Sequence, residues 1–260
     1  AVVVNVVHIY KGDFGGEKIL NGGSVRSITS LLDDVPLLGS PHRLTENANK
    51  SFQGSNLVGV GFTMTPEEAR ILIASNPIND EVLFPYLIGQ DLNSSPNQSP
   101  SRWAINFFDW PLEKAKQYPD CLEIVREKVY PQRMNQRREI RKRYWWRYGE
   151  TAPSLYETIA SLERVLVIAQ TSRTLAFSFV PKGIIYSHMT VVIASQEGWC
   201  FALLQSNLHT LWILRYASSL KGDARYIPRD CFETFPFPPP ASDRRASLDR
   251  TGEAYHERRR

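Results

Sequence analysis

The sequence predicts an α+β fold in which mixed or antiparallel β-sheets carry packed helices. Short apolar runs rich in Val, Ile and Phe recur along the 260-residue chain. Helical patterns fall between them without the regular strand–helix alternation of a parallel α/β protein. Hydrophobic residues make up 42% of the chain and aromatic residues 11%, which is enough for a sizeable core and argues against wholesale disorder.

The first third of the chain predicts two strands and one well-marked helix. Val-rich residues 2–10 and the run "NLVGVGFTM" at 56–64 indicate strands, separated by an irregular segment rich in Gly, Ser, Asn and Asp. Thr65 is expected to cap a helix that starts at Pro66, carries acidic residues in its first turn and ends near Ser75.

The remaining elements are predicted from apolar periodicity. Further strands are predicted over residues 81–89, 102–108, 164–170, 174–180, 183–187 and 189–194. A polar loop at 90–101 separates the first two of them. Helices are predicted over residues 111–118, 119–129, 132–143, 154–162 and 198–218.

The proline-rich run "FPFPPP" at 235–240 predicts extended polyproline that closes a domain over residues 1–240. Residues 241–260 then read as a linker and the start of a C-terminal helical region. We expect the chain to be part of a longer polypeptide.

Charge and cysteine usage restrict the setting in which the chain works. A net charge of +4 and a pI near 8.9 favour an anionic partner. The three cysteines form no CxxC pair and are an odd number, which argues against a zinc site or a disulfide framework and favours a reducing, cytoplasmic location. No apolar run approaches the ~18 residues of a membrane span, so we expect no membrane partner.

Methyl-transfer chemistry finds little support in these residues. Amino-methylating DNA methyltransferases need a glycine-rich turn between a strand and a helix, and an Asn/Asp-Pro-Pro-aromatic tetrad that holds the flipped base. The glycines of "VGVGF" (58–62) are expected inside a strand, where close strand packing explains them. The stretch "NFFDWP" (106–111) lacks both prolines of the tetrad, and its Pro111 suits the start of a helix.

Nuclease and metal chemistry are equally weakly supported. Asp120, Glu123 and Lys128 have the residue types of a Mg²⁺-dependent nuclease, but their spacing is that of a solvated helix face. The five histidines form no ligand cluster.

Three segments combine cations with hydrogen-bonding side chains and are candidates for DNA contact. They are the basic segment "RMNQRREIRKRYWWRYGE" at 133–150, the second segment "QTSRTLAF" at 170–177 and the third segment "RYASSLKGDARYIP" at 215–228. Arg and Lys neutralise phosphates, and Arg, Gln and Ser also reach base edges. The candidate residues are Arg137, Arg138, Arg141, Lys142, Gln170, Ser172, Arg173, Arg215, Ser219, Lys221 and Arg225. In the first segment the interleaved aromatics also fit a buried core behind a solvated basic face.

Several longer phrases carry a more specific resemblance. They are "PHRLTENANKSFQGSNLVGVGFTMTPEEA", "VLFPYLIGQDLNSSPNQSPSRWAINFFDWPLEKAKQYPD", "ERVLVIAQTSRTLAFSFVP" and "LKGDARYIPRDCFETFPFP". Together they resemble the C-terminal part of MmeI-like type II restriction-modification enzymes, which serve in phage defence, and of related adenine-specific DNA methyltransferases. The resemblance covers residues 1–240.

This resemblance implies that the chain is a target recognition domain that reads double-stranded DNA. Residues 1–10 would then complete an upstream methyltransferase domain. It implies no catalytic and no cofactor-binding residue here, because the tetrad and the S-adenosylmethionine glycines of such enzymes lie upstream. The base-reading positions are implied in the regions of "AQTSRTL" and "LHTLWILRYASSLKGDARY".

Two alternatives stay open at this point. The chain could itself be a methyltransferase or nuclease, against which the missing tetrad and acid cluster argue. It could also be an interaction or structural remnant that docks to a separate methyltransferase chain without binding DNA.

Overall fold

The chain divides into two compact units, Ala1–Pro41 and His42–Arg260. A computed structural model describes residues 6–29, 34, 39, 41–220, 223–238 and 242–259. In the first unit, β1 (Lys18–Leu20) and β2 (Gly23–Val25) form an antiparallel hairpin. Asn21 and Gly22 both have positive φ, at 51° and 83°, as the two-residue type I′ turn requires.

The second unit contains the sheets and the packed helices. Its strands are β3 (Ser51–Gln53), β4 (Thr63–Met64), β5 (Leu83–Leu87), β6 (Arg102–Ile105), β7 (Arg164–Ala169), β8 (Thr171–Ser172), β9 (Ser178–Pro181), β10 (Ile185–Tyr186), β11 (Thr190–Ile193), β12 (Ser219–Leu220) and β13 (Asp223–Arg225). Its α-helices are α1 (Pro66–Ser75), α2 (Gly89–Ser94), α3 (Leu112–Ala115), α4 (Pro119–Lys128), α5 (Tyr130–Met134), α6 (Glu139–Arg143), α7 (Pro153–Ile159), α8 (Gly198–Leu204), α9 (Asn207–Tyr216) and α10 (Ser242–Arg259). This unit also contains short 3₁₀ turns at Thr45–Asn47 and Pro77–Glu81 and a π turn at Pro228–Phe232.

The first sheet has the strand order β10-β5-β6-β4, with β10 parallel to β5 and the other pairs antiparallel. Its core joins Phe62 and Ile105 to residues of α1, α4 and the aromatic segment that follows α6. Trp146 donates its indole N–H to the carbonyl oxygen of Trp110 over 2.9 Å, which satisfies the one polar atom of that buried ring.

The second sheet has the order β3-β11-β7-β9 and is antiparallel throughout. Side chains alternate across β7, as the pleat requires. Leu166 and Ile168 pack in the core formed with α8 and α9, whereas Val165 and Val167 pack in a separate core with α7. The sheet is therefore covered by helices on both faces.

Gly54 marks the point at which the two large sheets meet. Its amide donates to the carbonyl oxygen of Thr190 (3.1 Å), and the amide of Ser55 donates to Tyr186 (2.7 Å), so the chain leaving β3 runs against β10 and the start of β11. A Cβ on Gly54 would lie 2.3 Å from the carbonyl oxygen of Ser187 and 2.4 Å from that of Tyr186. Only glycine allows so close an approach of two backbones.

The first and last parts of the second unit are joined by hydrogen bonds. The side-chain amide of Asn47, which is 3% exposed, donates to the carbonyl oxygens of Phe232 (3.2 Å) and Phe235 (2.8 Å). The backbone amide of Leu44 donates to Glu233 over 2.8 Å. The segment before β3 is thus fixed by residues near the end of the domain.

Helix α10 packs on α8 through two glycines. A Cβ on Gly252 would lie 2.0 Å from the carbonyl oxygen of Gly198, so the two helices touch backbone to backbone. Arg164 on β7 forms an ion pair with Glu253, and the carboxylate of Asp249 accepts the backbone amide of Trp199 over 2.7 Å. Residues 242–259 are therefore part of the packed structure of the second unit.

The α+β class is confirmed, and α1 begins and ends where the sequence predicts. Thr65 accepts the amide of Glu68, and the Glu68 carboxylate accepts the amide of Thr65, which is a complete capping box. The capping carboxylate is stabilised in its charged form, so hydrogen bonds from Thr65 lower the pKa of Glu68.

Three expectations for strands and loops were wrong in detail. Residues 6–10 form no strand, and residues 2–5 lie outside the described part. Of the run 56–64 only β4 is a strand, because the chain turns at Val58 (φ 52°) and Gly59 (φ 132°). The polar stretch 90–101 contains most of α2.

Two predicted helices are each divided. The helix expected at 132–143 becomes α5 and α6, which are separated by residues 135–138. The helix expected at 198–218 becomes α8 and α9. There Ser206 starts a new helix by accepting the amide of His209 (3.3 Å).

Candidate nucleic-acid interface

A small three-stranded sheet brings together two of the segments that the sequence singled out. Its order is β12-β13-β8 and both pairings are antiparallel, with Ala224 opposite Ser172 and Arg225 opposite Thr171. The amide of Tyr226 donates to Gln170 over 2.8 Å and extends this ladder. Backbone hydrogen bonds therefore hold two segments that are distant in sequence as neighbours.

The side chains on this sheet and next to it differ in accessibility. Arg173 and Arg225 are exposed, whereas Gln170 and Ser172 are 6% and 7% exposed. The Ser172 hydroxyl donates to the Asn93 Oδ1 atom over 2.8 Å and accepts the amide of Thr174 over 3.2 Å. We call the surface around exposed Arg225 on β13 and exposed Arg173, the residue after β8, the recognition surface.

The remaining candidates of the second and third segments lie close to this surface in the chain. Arg215 is half-buried in the last turn of α9, where a positive charge suits the helix dipole. Ser219 is the first residue of β12, and Lys221 lies outside the described residues. Asn93 was not predicted as a site residue, because the sequence indicated only a polar loop over residues 90–101.

The basic segment belongs to a different core. Arg137 and Arg138 are exposed between α5 and α6, and Arg141 and Lys142 are half-buried on α6. Lys142 pairs with Glu139 over 2.6 Å. The buried aromatic residues that follow, Trp146 and Tyr148, pack with the first sheet. The prediction that these rings belong to a core is therefore confirmed, and Arg137 and Arg138 are exposed to solvent.

A buried arginine fixes the position of this segment. Arg133 is 1% exposed, and its Nη2 donates to the carbonyl oxygens of Leu57 (2.8 Å) and Arg147 (3.3 Å). Burial lowers the pKa of Arg133 to about 10, so it stays charged at neutral pH. It connects α5 with the turn after β3 and with the end of the basic segment.

Beneath the recognition surface lies a buried histidine. His209 on α9 is fully buried, and its Nε2 is 3.1 Å from the hydroxyl of Tyr226, the residue after β13. Rings of Phe177 and Phe235 enclose it. Burial disfavours the charged imidazolium and lowers the pKa of His209 to about 3.

This histidine predicts a pH-dependent stability. Between pH 7.5 and 5.5 the unfolded chain binds a proton at this residue, whose ordinary pKa is 6.5, and the folded chain does not. The free energy of unfolding should therefore decrease as the pH is lowered. His209 alone should make it about 1.4 kcal/mol smaller at pH 5.5 than at pH 7.5. Urea unfolding of the wild type and of His209→Gln at both pH values measures this. The variant should lose less stability on acidification, and equal losses would contradict the prediction.

The glycine and carboxylate patterns considered for catalysis have structural roles. The "VGVGF" glycines form a turn in which Val58 packs against Gly149, not a turn between a strand and a helix, so the residues do not fit an S-adenosylmethionine site. Asn106 is 3% exposed, and its Oδ1 accepts the amide of Phe108 over 2.9 Å. The Asp120 carboxylate accepts hydrogen bonds from Asn76 and Asn79, which lower its pKa.

The described part of the chain contains neither a metal-binding cluster nor a membrane-spanning helix. No group of three or more His, Cys, Asp or Glu side chains there could hold a metal ion. The three cysteines are buried, and burial raises each of their pKa values to about 12. No described helix is both long enough and apolar enough to span a bilayer.

Comparison with solved structures finds chains whose folds resemble this one. The structure of the type IIL restriction-modification enzyme MmeI in complex with DNA superimposes with a TM-score of 0.73 at 19% identity, over 90% of this chain and 31% of that one. The type IIG restriction endonuclease BpuSI gives a TM-score of 0.45 at 13% identity, over 82% and 26%. This chain thus spans less than a third of either enzyme.

Sequence comparison gives the family itself. The family model described as "MmeI, target recognition domain" matches residues 41–239. A 76-residue segment, 27% of this chain, is 30% identical to 9% of DNA methyltransferase A of Bacillus subtilis (strain 168). The chain belongs to the MmeI target recognition domain family.

Proposed function

We propose that this chain reads the sequence of double-stranded DNA with the recognition surface. The observation that carries the proposal is the pairing of β8 with β13, because Arg225 lies on β13 and Arg173 directly follows the last residue of β8. Both side chains are exposed and form no ion pair with another described residue. Family membership supports the same assignment.

The chemistry of these residues suits the major groove. The planar guanidinium group donates two parallel hydrogen bonds to the O6 and N7 atoms of guanine or to phosphate oxygens. A two-stranded ribbon or short sheet fits within the groove. Because backbone hydrogen bonds hold β8 and β13 together, the main chain at Arg225 and next to Arg173 is already ordered, which limits the backbone entropy lost on binding.

The basic segment would contribute phosphate contacts rather than base reading. Exposed Arg137 and Arg138 are followed by a helix whose last turn carries three cations. Such contacts position a protein on the duplex without selecting a sequence, and they make its affinity depend on salt.

The protein in which this domain acts would be a site-specific adenine methyltransferase. The similarity to a DNA methyltransferase over a small part of that protein's length supports this. In that arrangement S-adenosylmethionine is bound by an upstream or separate methyltransferase domain, and this chain supplies the target. The catalytic step then belongs to residues outside the chain.

Replacing the two exposed arginines tests the proposal. Wild-type chain should bind duplex DNA weakly at low salt, with Kd on the order of micromolar or weaker. A preferred duplex is first enriched from a random pool with the wild type. Arg173→Ala and Arg225→Ala should each weaken binding to it by about tenfold, because each loses a base or phosphate contact. Fluorescence anisotropy over a salt series measures both affinity and salt slope.

Arg126→Ala on α4 serves as the control, because that arginine is also exposed and pairs only loosely with Glu123 at 3.9 Å. It should leave the affinity unchanged. Wild-type chain that binds no DNA at low salt, or arginine variants that behave like the control, would show that the recognition surface does not read DNA.

A further inference from the structure

The end of helix α2 is hydrogen-bonded to the recognition surface. Asn93 Oδ1 accepts the hydroxyl of Ser172 over 2.8 Å, and Asn93 Nδ2 donates to the carbonyl oxygen of Thr171 over 3.3 Å. The oxygen and the nitrogen of the Asn93 side-chain amide thus bind the two residues of β8. No other described side chain forms hydrogen bonds with both Thr171 and Ser172.

The segment that follows Asn93 is held in a defined shape. Asp91 is 5% exposed, and its carboxylate accepts the amides of Ile88 (3.1 Å) and Ser101 (3.3 Å), which closes the loop at its base. Gln98, in a left-handed conformation at φ 49°, donates its side-chain amide to Ser95 (3.2 Å) and Pro96 (2.7 Å). These bonds preorganise the segment Asn93–Gln98.

The composition of the segment differs from that of the basic one. Between Asp91 and Arg102 the chain carries only uncharged residues, with exposed amides at Asn93 and Asn97. The Asn97 side chain forms no hydrogen bond with the described residues, whereas those of Asn93 and Gln98 do. Side-chain amides suit adenine edges better than phosphates, because asparagine pairs with both N6 and N7 of adenine.

We propose that the segment Asn93–Gln98 is a further part of the recognition surface. In this segment Asn93 positions β8, and Asn97 contacts a base edge. This inference rests on the proposed function, since it assigns a further specificity element to the same surface. Asn93 acts through Ser172 and is a positioning residue. Asn97 would touch DNA directly.

A double-mutant cycle on selectivity tests the positioning role. Selectivity is the ratio of Kd for a scrambled duplex to Kd for the wild-type-preferred duplex. Asn93→Ala and Ser172→Ala should each lower it by about three- to tenfold. The double variant should lose no more than the larger single loss, because both changes break one coupling.

A structural role alone would give a different result. Affinity for both duplexes would then fall together, the thermal midpoint would fall with them, and selectivity would hold. Additive losses of selectivity in the double variant would likewise overturn the positioning role.

Re-selection from a random pool tests the contact by Asn97. Asn97→Ala should lose preference at one base position, with a salt slope like that of the wild type. The matched control is Gln117→Ala, which removes an exposed amide between α3 and α4. A preferred sequence unchanged by Asn97→Ala overturns the base contact.

The two proposals fail in distinguishable ways. Wild-type chain without any sequence preference overturns the proposed function together with this inference. A selective wild type that depends on Arg173 but not on Asn93 or Asn97 overturns the inference alone.

Discussion

Arg133→Ala is expected to lower the free energy of unfolding by about 3 to 5 kcal/mol. The change removes hydrogen bonds to the carbonyl oxygens of Leu57 and Arg147 and leaves a cavity under the ring of Phe62. Burying an arginine without an acidic partner is itself costly, and the two carbonyl bonds offset that cost. Urea unfolding followed by tryptophan fluorescence measures the loss.

Two further variants separate the contributions at this site. Arg126→Ala, on the exposed face of α4, should change stability by less than about 0.5 kcal/mol. Arg133→Met keeps most of the volume but donates no hydrogen bond, so it should recover only part of the loss. A methionine variant as stable as the wild type would show that the carbonyl bonds contribute nothing net.

Gly54→Ala is the second change with a large expected effect. The new Cβ would meet the backbone of Ser187 and Tyr186 at 2.3 to 2.6 Å, and backbone atoms cannot rotate away as a side chain can. Relief requires β3 to separate from β10 and β11, at a cost of about 3 kcal/mol or more. The thermal midpoint of unfolding should fall by several degrees.

The matched control for this change is Gly23→Ala in the hairpin of the first unit. A Cβ there would lie 3.6 Å from the carbonyl oxygen of Leu20, an ordinary contact. It should leave the midpoint nearly unchanged. If Gly54→Ala were equally harmless, the close approach of the two sheets would not be a constraint.

Local chemistry explains which parts of the fold could be predicted. Thr65, Pro66 and Glu68 specify the start of α1 within one turn of chain, so no distant residue was needed. The Val-Gly run after Asn56 shows the opposite case. Its β propensity is overridden because Val58 adopts a left-handed turn and packs against Gly149. The two residues are distant in sequence, so no local pattern predicts this contact.

The candidate site shows the same division. Residue type alone singled out Arg173 and Arg225, because exposed arginines beside polar turns suit DNA. Their proximity in the fold depends on the pairing of β8, which Arg173 follows, with β13, which contains Arg225, and no local pattern encodes this pairing. Asn93 could not be distinguished from other loop amides, since only its distances to Thr171 and Ser172 set it apart.

The bond from Asn47 to the end of the domain also has a consequence for synthesis on the ribosome. Asn47 emerges early, but its acceptor Phe235 is made 188 positions later, and β3 must likewise wait for β11. At typical elongation rates that interval is roughly 10 to 40 s. During this time Phe52 and its neighbours lack their permanent partners, so the nascent chain exposes apolar surface and an unpaired strand, both of which promote aggregation.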